Sequence, residues 1–355
     1  MENSLEQTDA VAGAILGCAV GDAIGLPYEG LSKRRGVRLL GKPDRYRFVA
    51  GRGMVSDDTE HTCMVAQALC AYPANPDEFA RKLGRRLRWW LVGLPAGIGS
   101  ATLRAILKLW LGIPPSRSGV FSAGNGPAMR SAVLGAAIDD IETLRSFVQA
   151  STRITHTDPK ACHGAYAIAF AAWCAKRGMD EPGQFFRKYR SVAVADTSEE
   201  FAALMARTEN SLAAGDSTAS FAEQLGCPQR VSGYVYHTVP VALHSWLSQP
   251  RDYQQAVTSV IECGGDTDTT AAIVGAIVGC GVGRSGIPRD WLEGLWEWPR
   301  SVAWMERLAV AASNAVKSAT PVRAPRVFPV IGLARNAIFL SVVLAHIARR
   351  VLPPY

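Results

Sequence analysis

Helical periodicity dominates the chain. Apolar residues recur at the three-to-four spacing that gathers them on one helix face. They do so over residues 9–26, 59–71, 77–92, 99–111, 127–138, 140–152, 159–177, 197–214, 235–247, 252–262, 267–280 and 300–316. Alternating Val/Ile-rich runs are scarce, and residues 36–40 and 46–49 are the best short-strand candidates. Long connections are expected over 27–56, 93–98, 112–126 and 227–234. The pattern predicts an all-α domain with long loops, spanning residues 1–317. Gly13, Gly17, Gly21 and Gly25 stand four apart on one face of the first helix. They predict close helix–helix contact, above all for the first three.

The end of the chain reads differently. Pro321, Pro325 and Pro329, with Arg323 and Arg326 between them, predict an extended linker over 318–329. Residues 330–355 form an apolar tail helix. Its longest uncharged run, Ala337–Ile347, is about 11 residues, short of the roughly 20 that cross a bilayer. The tail is expected to pack on the body or on a partner. Attachment to a membrane surface, flanked by Arg349 and Arg350, is the alternative.

Composition narrows the function classes. A 355-residue chain that is 48% hydrophobic is not a mostly disordered protein. Length alone favours two domains. The net charge of +7 is scattered and contains no basic run of five or six, which argues against a dedicated nucleic-acid tract. Eight cysteines without a CxxC pair read as buried reduced thiols rather than a disulfide framework or zinc site. The polar, acidic start lacks the basic end and apolar stretch of a signal peptide, so a cytoplasmic protein is expected.

Chemistry concentrates in two acidic clusters. Ser56-Asp57-Asp58-Thr59 directly precedes one helical segment, and Gly264-Gly265-Asp266-Thr267-Asp268-Thr269 precedes another. Ser, Thr and Asp cap helix N-termini, but one capping residue suffices. Two carboxylates plus hydroxyls, twice in one chain, also make a hard-oxygen set suited to Mg²⁺, Mn²⁺ or Ca²⁺. Between them, Ser122-Ala123-Gly124-Asn125-Gly126-Pro127 is either an ordinary tight turn or an anion-binding turn at a helix start. His156, in Thr155-His156-Thr157-Asp158, is either a substrate contact or a capping residue. His61 and His163 fall on helical patterns and read as structural. No Ser/His/Asp or Cys/His motif accompanies Cys63 or Cys263.

Together these residues resemble the ADP-ribosylglycohydrolase family, which includes the dinitrogenase-reductase-activating glycohydrolases and the ARH-type hydrolases. The matching segments are Gly17-Cys18-Ala19-Val20-Gly21-Asp22-Ala23-Ile24-Gly25 with Glu29, Ser56–Thr59, Gly124–Arg130, Thr155-His156 and Gly264–Thr269. They occur in the family's order across residues 11–283. The resemblance implies one compact, orthogonal multi-helix all-α domain with two magnesium ions (Mn²⁺ as the alternative) in a cleft. It implies Ser56, Asp57, Asp58 and Asp268 as ligands of one ion, and Asp58, Asp266, Asp268 and Thr269 as ligands of the other. Glu29, Asp58 and Asp268 would carry catalysis, with Glu29 gating entry or activating water. Ser122, Gly124, Asn125, Gly126 and His156 would hold the substrate, an ADP-ribosylated protein or small molecule. Asp22 matches as well and reads as structural. Two departures stand out. Ala96 occupies a position where the nitrogenase-type enzymes carry an Asp, and Ala123 one where some relatives stack an aromatic residue on adenine, with Phe121 as a substitute. They leave two alternatives: a catalytically weak ADP-ribose binder, and a hydrolase of another ribosyl nucleotide.

Overall fold

The computed structural model describes residues 6–193, 198–327 and 329–351. Parts of the expected body, linker and tail that fall on residues 1–5, 194–197, 328 and 352–355 lie outside the described residues. The fold is all-α, and among the described residues only isolated bridges pair extended backbone.

Every expected helix but 127–138 forms as one element. The first, Gln7–Gly25, runs through the centre and is buried along nearly its whole length. Its partner is Thr267–Val282, equally apolar and almost wholly buried. The two run antiparallel with backbones nearly touching. A Cβ built on Gly13 would lie 2.0 Å from the Gly279 carbonyl oxygen, on Gly17 2.1 Å from that of Gly275, and on Gly21 2.1 Å from that of Ala271. On Gly25 it would lie 2.3 Å from the Thr267 carbonyl oxygen, so all four glycines serve the contact. Helices Asp57–Ala71, Pro159–Ala175, Val235–Ser248 and Val302–Ser318 pack around this pair.

Three expectations are corrected. Residues 36–40 belong to a helix, Lys33–Leu40. Gly36 lets that helix close on the Tyr28 ring, and Gly41 at φ 77° ends it. Residues 46–49 do turn Tyr46 and Phe48 inward alternately. Their backbone closes a tight turn instead of pairing with a strand, through Val49 N–H to Arg52 O and Arg52 N–H to Val49 O. The segment 127–138 divides into Gly126–Met129 and Ala132–Ala137. The break falls at buried Arg130, whose guanidinium reaches Ser151 and Thr155. Short helices Pro115–Ser118, Thr218–Gln224 and Arg289–Gly294, and the longer Pro182–Ala193, were not legible as helical runs.

The Pro/Arg segment lies on the body. Val322 N–H donates to Cys70 O, Gln67 Nε2 to Pro325 O and Trp304 Nε1 to Arg326 O. The tail helix is Pro329–Val351. By length and composition Ile331–Arg350 is long and apolar enough to cross a membrane, which the uncharged-run argument had not allowed. Its polar residues, however, are committed to the body. Arg335 is buried against Glu297 at 2.7 Å, Asn336 Nδ2 donates to Gly93 O, and Arg350 donates to Glu29 O and Pro27 O. The eight cysteines form no disulfide, and all are buried except the half-buried Cys162.

Candidate active site

The antiparallel glycine contact decides where the chemistry sits. It brings the C-terminal end of the first helix, with Asp22 and the following Glu29, beside the N-terminus of Thr267–Val282. The entry to that second helix needs two left-handed residues, Gly264 at φ 71° and Gly265 at φ 88°. A Cβ on Gly265 would lie 2.0 Å from Val231 O. The turn is pinned on both sides: Gly30 N–H donates to Gly265 O, Gly265 N–H to Leu31 O and Asp266 N–H to Val231 O.

The other acidic cluster enters through the start of helix Asp57–Ala71. Ser56 caps it, its hydroxyl accepting from Asp58 N–H. Asp22 holds this turn from below, accepting from Ser56 N–H, Thr59 N–H and, at 2.5 Å, the Thr59 hydroxyl. Asp22 is therefore a positioning residue. Its own carboxyl is pushed up to about 7 by burial.

One contact closes the site. Asp58 Oδ2 accepts from the Ser56 hydroxyl at 3.0 Å and from the Thr269 hydroxyl at 3.2 Å, joining clusters 211 residues apart. Asp266 Oδ2 accepts from Asn125 Nδ2 at 2.6 Å, which ties in the Gly-rich turn. Burial raises the carboxyls of Asp57, Asp58 and Asp268 well above the ordinary range. Neighbouring carboxylates add to this: Asp22 and Glu60 for Asp57, Asp22, Asp57 and Asp266 for Asp58, and Glu29, Asp266 and Asp58 for Asp268. Burial also raises Asp266, against hydrogen bonds from Asn125 and others. Glu29 sits on the rim with its side chain accessible. Its carboxyl is raised by desolvation in the cleft and by Asp266, while Arg350 opposes the rise.

Two oxygens in this cluster have no partner. Asp58 Oδ1 and Asp268 Oδ1 are buried without a hydrogen bond. Leaving a buried charged acceptor unsatisfied is costly, and a hard cation relieves both the desolvation and the mutual repulsion. Among the described residues no three His, Cys, Asp or Glu side chains are closed up as a metal cage. The donors nevertheless fit an oxygen-liganded divalent cation: carboxylates, the Ser56 and Thr269 hydroxyls, and two unpartnered oxygens.

The Gly-rich turn lies against His156. A Cβ on Gly124 would stand 3.0 Å from His156 Nε2, and one on Gly126 3.2 Å from Cε1, so only glycine lets the ring so close. The ring is buried, shares a hydrogen bond with Thr155 Oγ1, and is held neutral, its pKa lowered to about 3 by burial and by Arg130. It supports the turn from behind. Within the turn, Gly124 N–H already donates to the Ser122 hydroxyl and Asn125 N–H to Gly233 O. Phe121 projects into solvent while Ala123 packs on the core. A separate cavity of about 350 Å³ shares His156, with Asp158 beside it, but no residue of the two acidic clusters.

Sequence reasoning missed the support behind the site. Glu60, one turn after Asp57, is buried between Arg300 and the Trp90 indole N–H. Glu297 accepts from Val55 N–H, just before Ser56, and pairs with Arg335. Neither pair shares a local motif; only buried charges in apolar surroundings hinted that partners must exist.

The ADP-ribosylglycohydrolase family model matches residues 3–321. The chain is 33% identical over 289 residues to an uncharacterised protein of Archaeoglobus fulgidus, covering 79% of this chain and 90% of that one. It is 27% identical over 311 residues to the ADP-ribosyl-[dinitrogen reductase] glycohydrolase of Rhodospirillum rubrum, covering 81% and 90%. A solved structure described as an ADP-ribosylglycohydrolase-related protein complex superposes with a TM-score of 0.64 at 27% identity, covering 88% of this chain and 99% of that one. With its acidic clusters, Gly-rich turn and helical frame all in place, this chain belongs to the ADP-ribosylglycohydrolase family.

Proposed function

We propose that the protein hydrolyses the glycosidic bond between an ADP-ribosyl group and a protein or small-molecule acceptor. In that reaction the bond from the anomeric carbon to the acceptor breaks, water oxygen bonds to the carbon, and the acceptor leaves with a proton. The transition state is oxocarbenium-like. Ser56, Asp57, Asp58 and Asp268 would hold one magnesium ion, and Asp58, Asp266, Asp268 and Thr269 the other. When bound, such ions supply Lewis acidity toward a water and the ribose hydroxyls.

The protein's own groups do the rest. Asp22 and Asn125 fix Ser56 and Asp266 from outside the cluster. Glu29, on the rim with its carboxyl raised by desolvation and Asp266, is suited to take the water's proton. Ser122 and the Gly124–Gly126 turn border the cleft where a diphosphate would lie, with neutral His156 as their backing. The observation that carries this reading is the pair of buried, unpartnered oxygens, Asp58 Oδ1 and Asp268 Oδ1.

The test is release of ADP-ribose from arginine-linked, serine-linked and small-molecule substrates, with and without Mg²⁺. Asp268→Ala should abolish release while the protein stays folded; full activity in that variant would sink the assignment. A second reading, binding of ADP-ribose without turnover, is favoured by Ala96. This residue packs in a small apolar cluster with Phe339 of the tail, and no carboxylate takes its place. Calorimetric ADP-ribose binding with no release from any substrate would favour it.

A further inference from the structure

The scattered charge of the sequence is not scattered by segment. Residues 30–43, 79–138 and 307–355 contain no Asp or Glu. Those stretches hold 21 of the chain's 38 Lys and Arg residues. The remainder of the molecule therefore carries 17 basic residues against all 31 acidic ones.

The tail helix connects elements from all three stretches. Near its N-terminal end, Asn336 bonds Gly93 O, at the end of helix Pro76–Val92. At its C-terminal end, the Arg350 carbonyl accepts from Arg35 of helix Lys33–Leu40. Phe339, Val342 and Val343 face the body. The flank beside that face leaves Leu333, Leu340, Leu344 and Ile347 exposed at helical spacing.

The neighbouring hairpin continues the same character. Helices Pro76–Val92 and Ser100–Trp110 present Trp89, Leu94 and Leu111 at 67%, 70% and 82% exposure. Trp89 meets Trp110 edge-on at 5.6 Å, and Arg88 lies over the Trp110 ring. Arg85 and Arg104 are exposed on the same two helices, where Arg81 is paired with Glu78 at 2.7 Å, and Arg34 and Arg38 are exposed at the far end of the tail. A surface that interleaves arginine with tryptophan and leucine, its acidic residues confined to the first turn of helix Pro76–Val92, has the amphipathic composition of an interfacial membrane segment. Apolar patches of this extent on a soluble body mark an interaction site. A polynucleotide would use the arginines but leave the leucines in water.

We infer that this face, the tail helix with its two flanking elements, docks on an anionic lipid bilayer. The tail lies along the surface and does not cross it, because Arg335, Asn336 and Arg350 are held by the body. Its exposed apolar flank enters the headgroup boundary while the arginines meet the lipid charge. The inference stands apart from the catalytic reading, since binding is measured without turnover.

The test is co-sedimentation of the full chain with vesicles of phosphatidylcholine alone, or mixed with phosphatidylglycerol, at low and high salt. Binding should require the anionic lipid and weaken with salt. Arg34→Gln with Arg38→Gln should weaken it about 25-fold at low salt, taking about fivefold per arginine. Leu340→Gln with Leu344→Gln should weaken it about tenfold or more, and both pairs should leave the melting temperature unchanged. Absence of vesicle binding, equal binding to both vesicle types, or indifference to both pairs would overturn the inference. So would a DNA or RNA gel shift lost with Arg34 and Arg38 and unaccompanied by vesicle binding. A dimer in light scattering that Leu340→Gln with Leu344→Gln dissolves, again without vesicle binding, would assign the face to a second copy and overturn it too.

Discussion

Gly17→Ala tests the frame on which the site is built. In an isolated helix the change would stabilise by about 1 kcal/mol, because glycine is the poorer helix former. Here the added Cβ would lie 2.1 Å from the Gly275 carbonyl oxygen, where ordinary contact begins near 3.4 Å. The obstacle is backbone in another buried helix, so no side chain can swing away. The two helices must separate by about 1 Å, and overpacking of this kind costs about 1–3 kcal/mol or more. The Tyr253 hydroxyl, which donates to Gly17 O at 2.6 Å, is disturbed as well. The steric term wins, and the net loss is about 2 kcal/mol. For a chain this long that lowers the melting temperature by about 3 °C. The effect should also be graded along the contact. Gly13→Ala, at the end remote from the acidic clusters, should cost stability alone. Gly25→Ala places a Cβ 2.8 Å from the Asp268 Cα and should also weaken the Mg²⁺-induced thermal shift. Differential scanning fluorimetry with and without Mg²⁺ reads both. A Gly17→Ala protein that melts at or above the wild-type temperature would refute the packing argument.

Four further outcomes are expected. Asp58→Asn removes one of several mutually repelling buried carboxylates, so the metal-free protein should melt no lower than wild type while its Mg²⁺ shift disappears; fluorimetry reads both. The acidic cluster also sets a pH dependence. Its carboxyls have raised pKa values in the fold, so the native state binds more protons than the unfolded chain above about pH 4. Stability of the metal-free protein should therefore fall as pH rises from about 5 to 8, through the Asp22 value of about 7, and the Mg²⁺ shift should grow over the same range. Arg335→Ala strands Glu297 as a buried unpaired charge and should cost about 3–5 kcal/mol in chemical denaturation; adding Glu297→Leu should recover much of it. Arg350→Ala frees the Pro27 and Glu29 carbonyls. If activity is found, it should lower kcat more than it raises KM, with partial rescue by Arg350→Lys.

The helices were legible because their apolar periodicity is long and regular, and the glycine row because four-residue spacing has one meaning on a helix. The short elements were not. Residues 36–40 offer too few positions to separate a period of two from one of 3.6, and the outcome rests on Gly36 closing on Tyr28. The break at Arg130 depends on partners at Ser151 and Thr155 that no local pattern announces.

The site divides along the same line. Sequence alone marked the candidate residues: two carboxylate clusters at helix starts, a Gly-rich turn, and their order along one chain. It also determined that a single fold had to bring them together. Tertiary structure alone decided how they meet. The register of two glycine helices sets Thr269 on Asp58, Asn125 reaches Asp266, and buried arginines from distant segments balance Glu60 and Glu297. It decided the surface too, laying the tail helix between Arg35 of helix Lys33–Leu40 and Gly93 at the end of Pro76–Val92. The physical reason is common to both. Local periodicity encodes which side of a helix is apolar, whereas charge balance and close approach depend on neighbours set hundreds of residues apart.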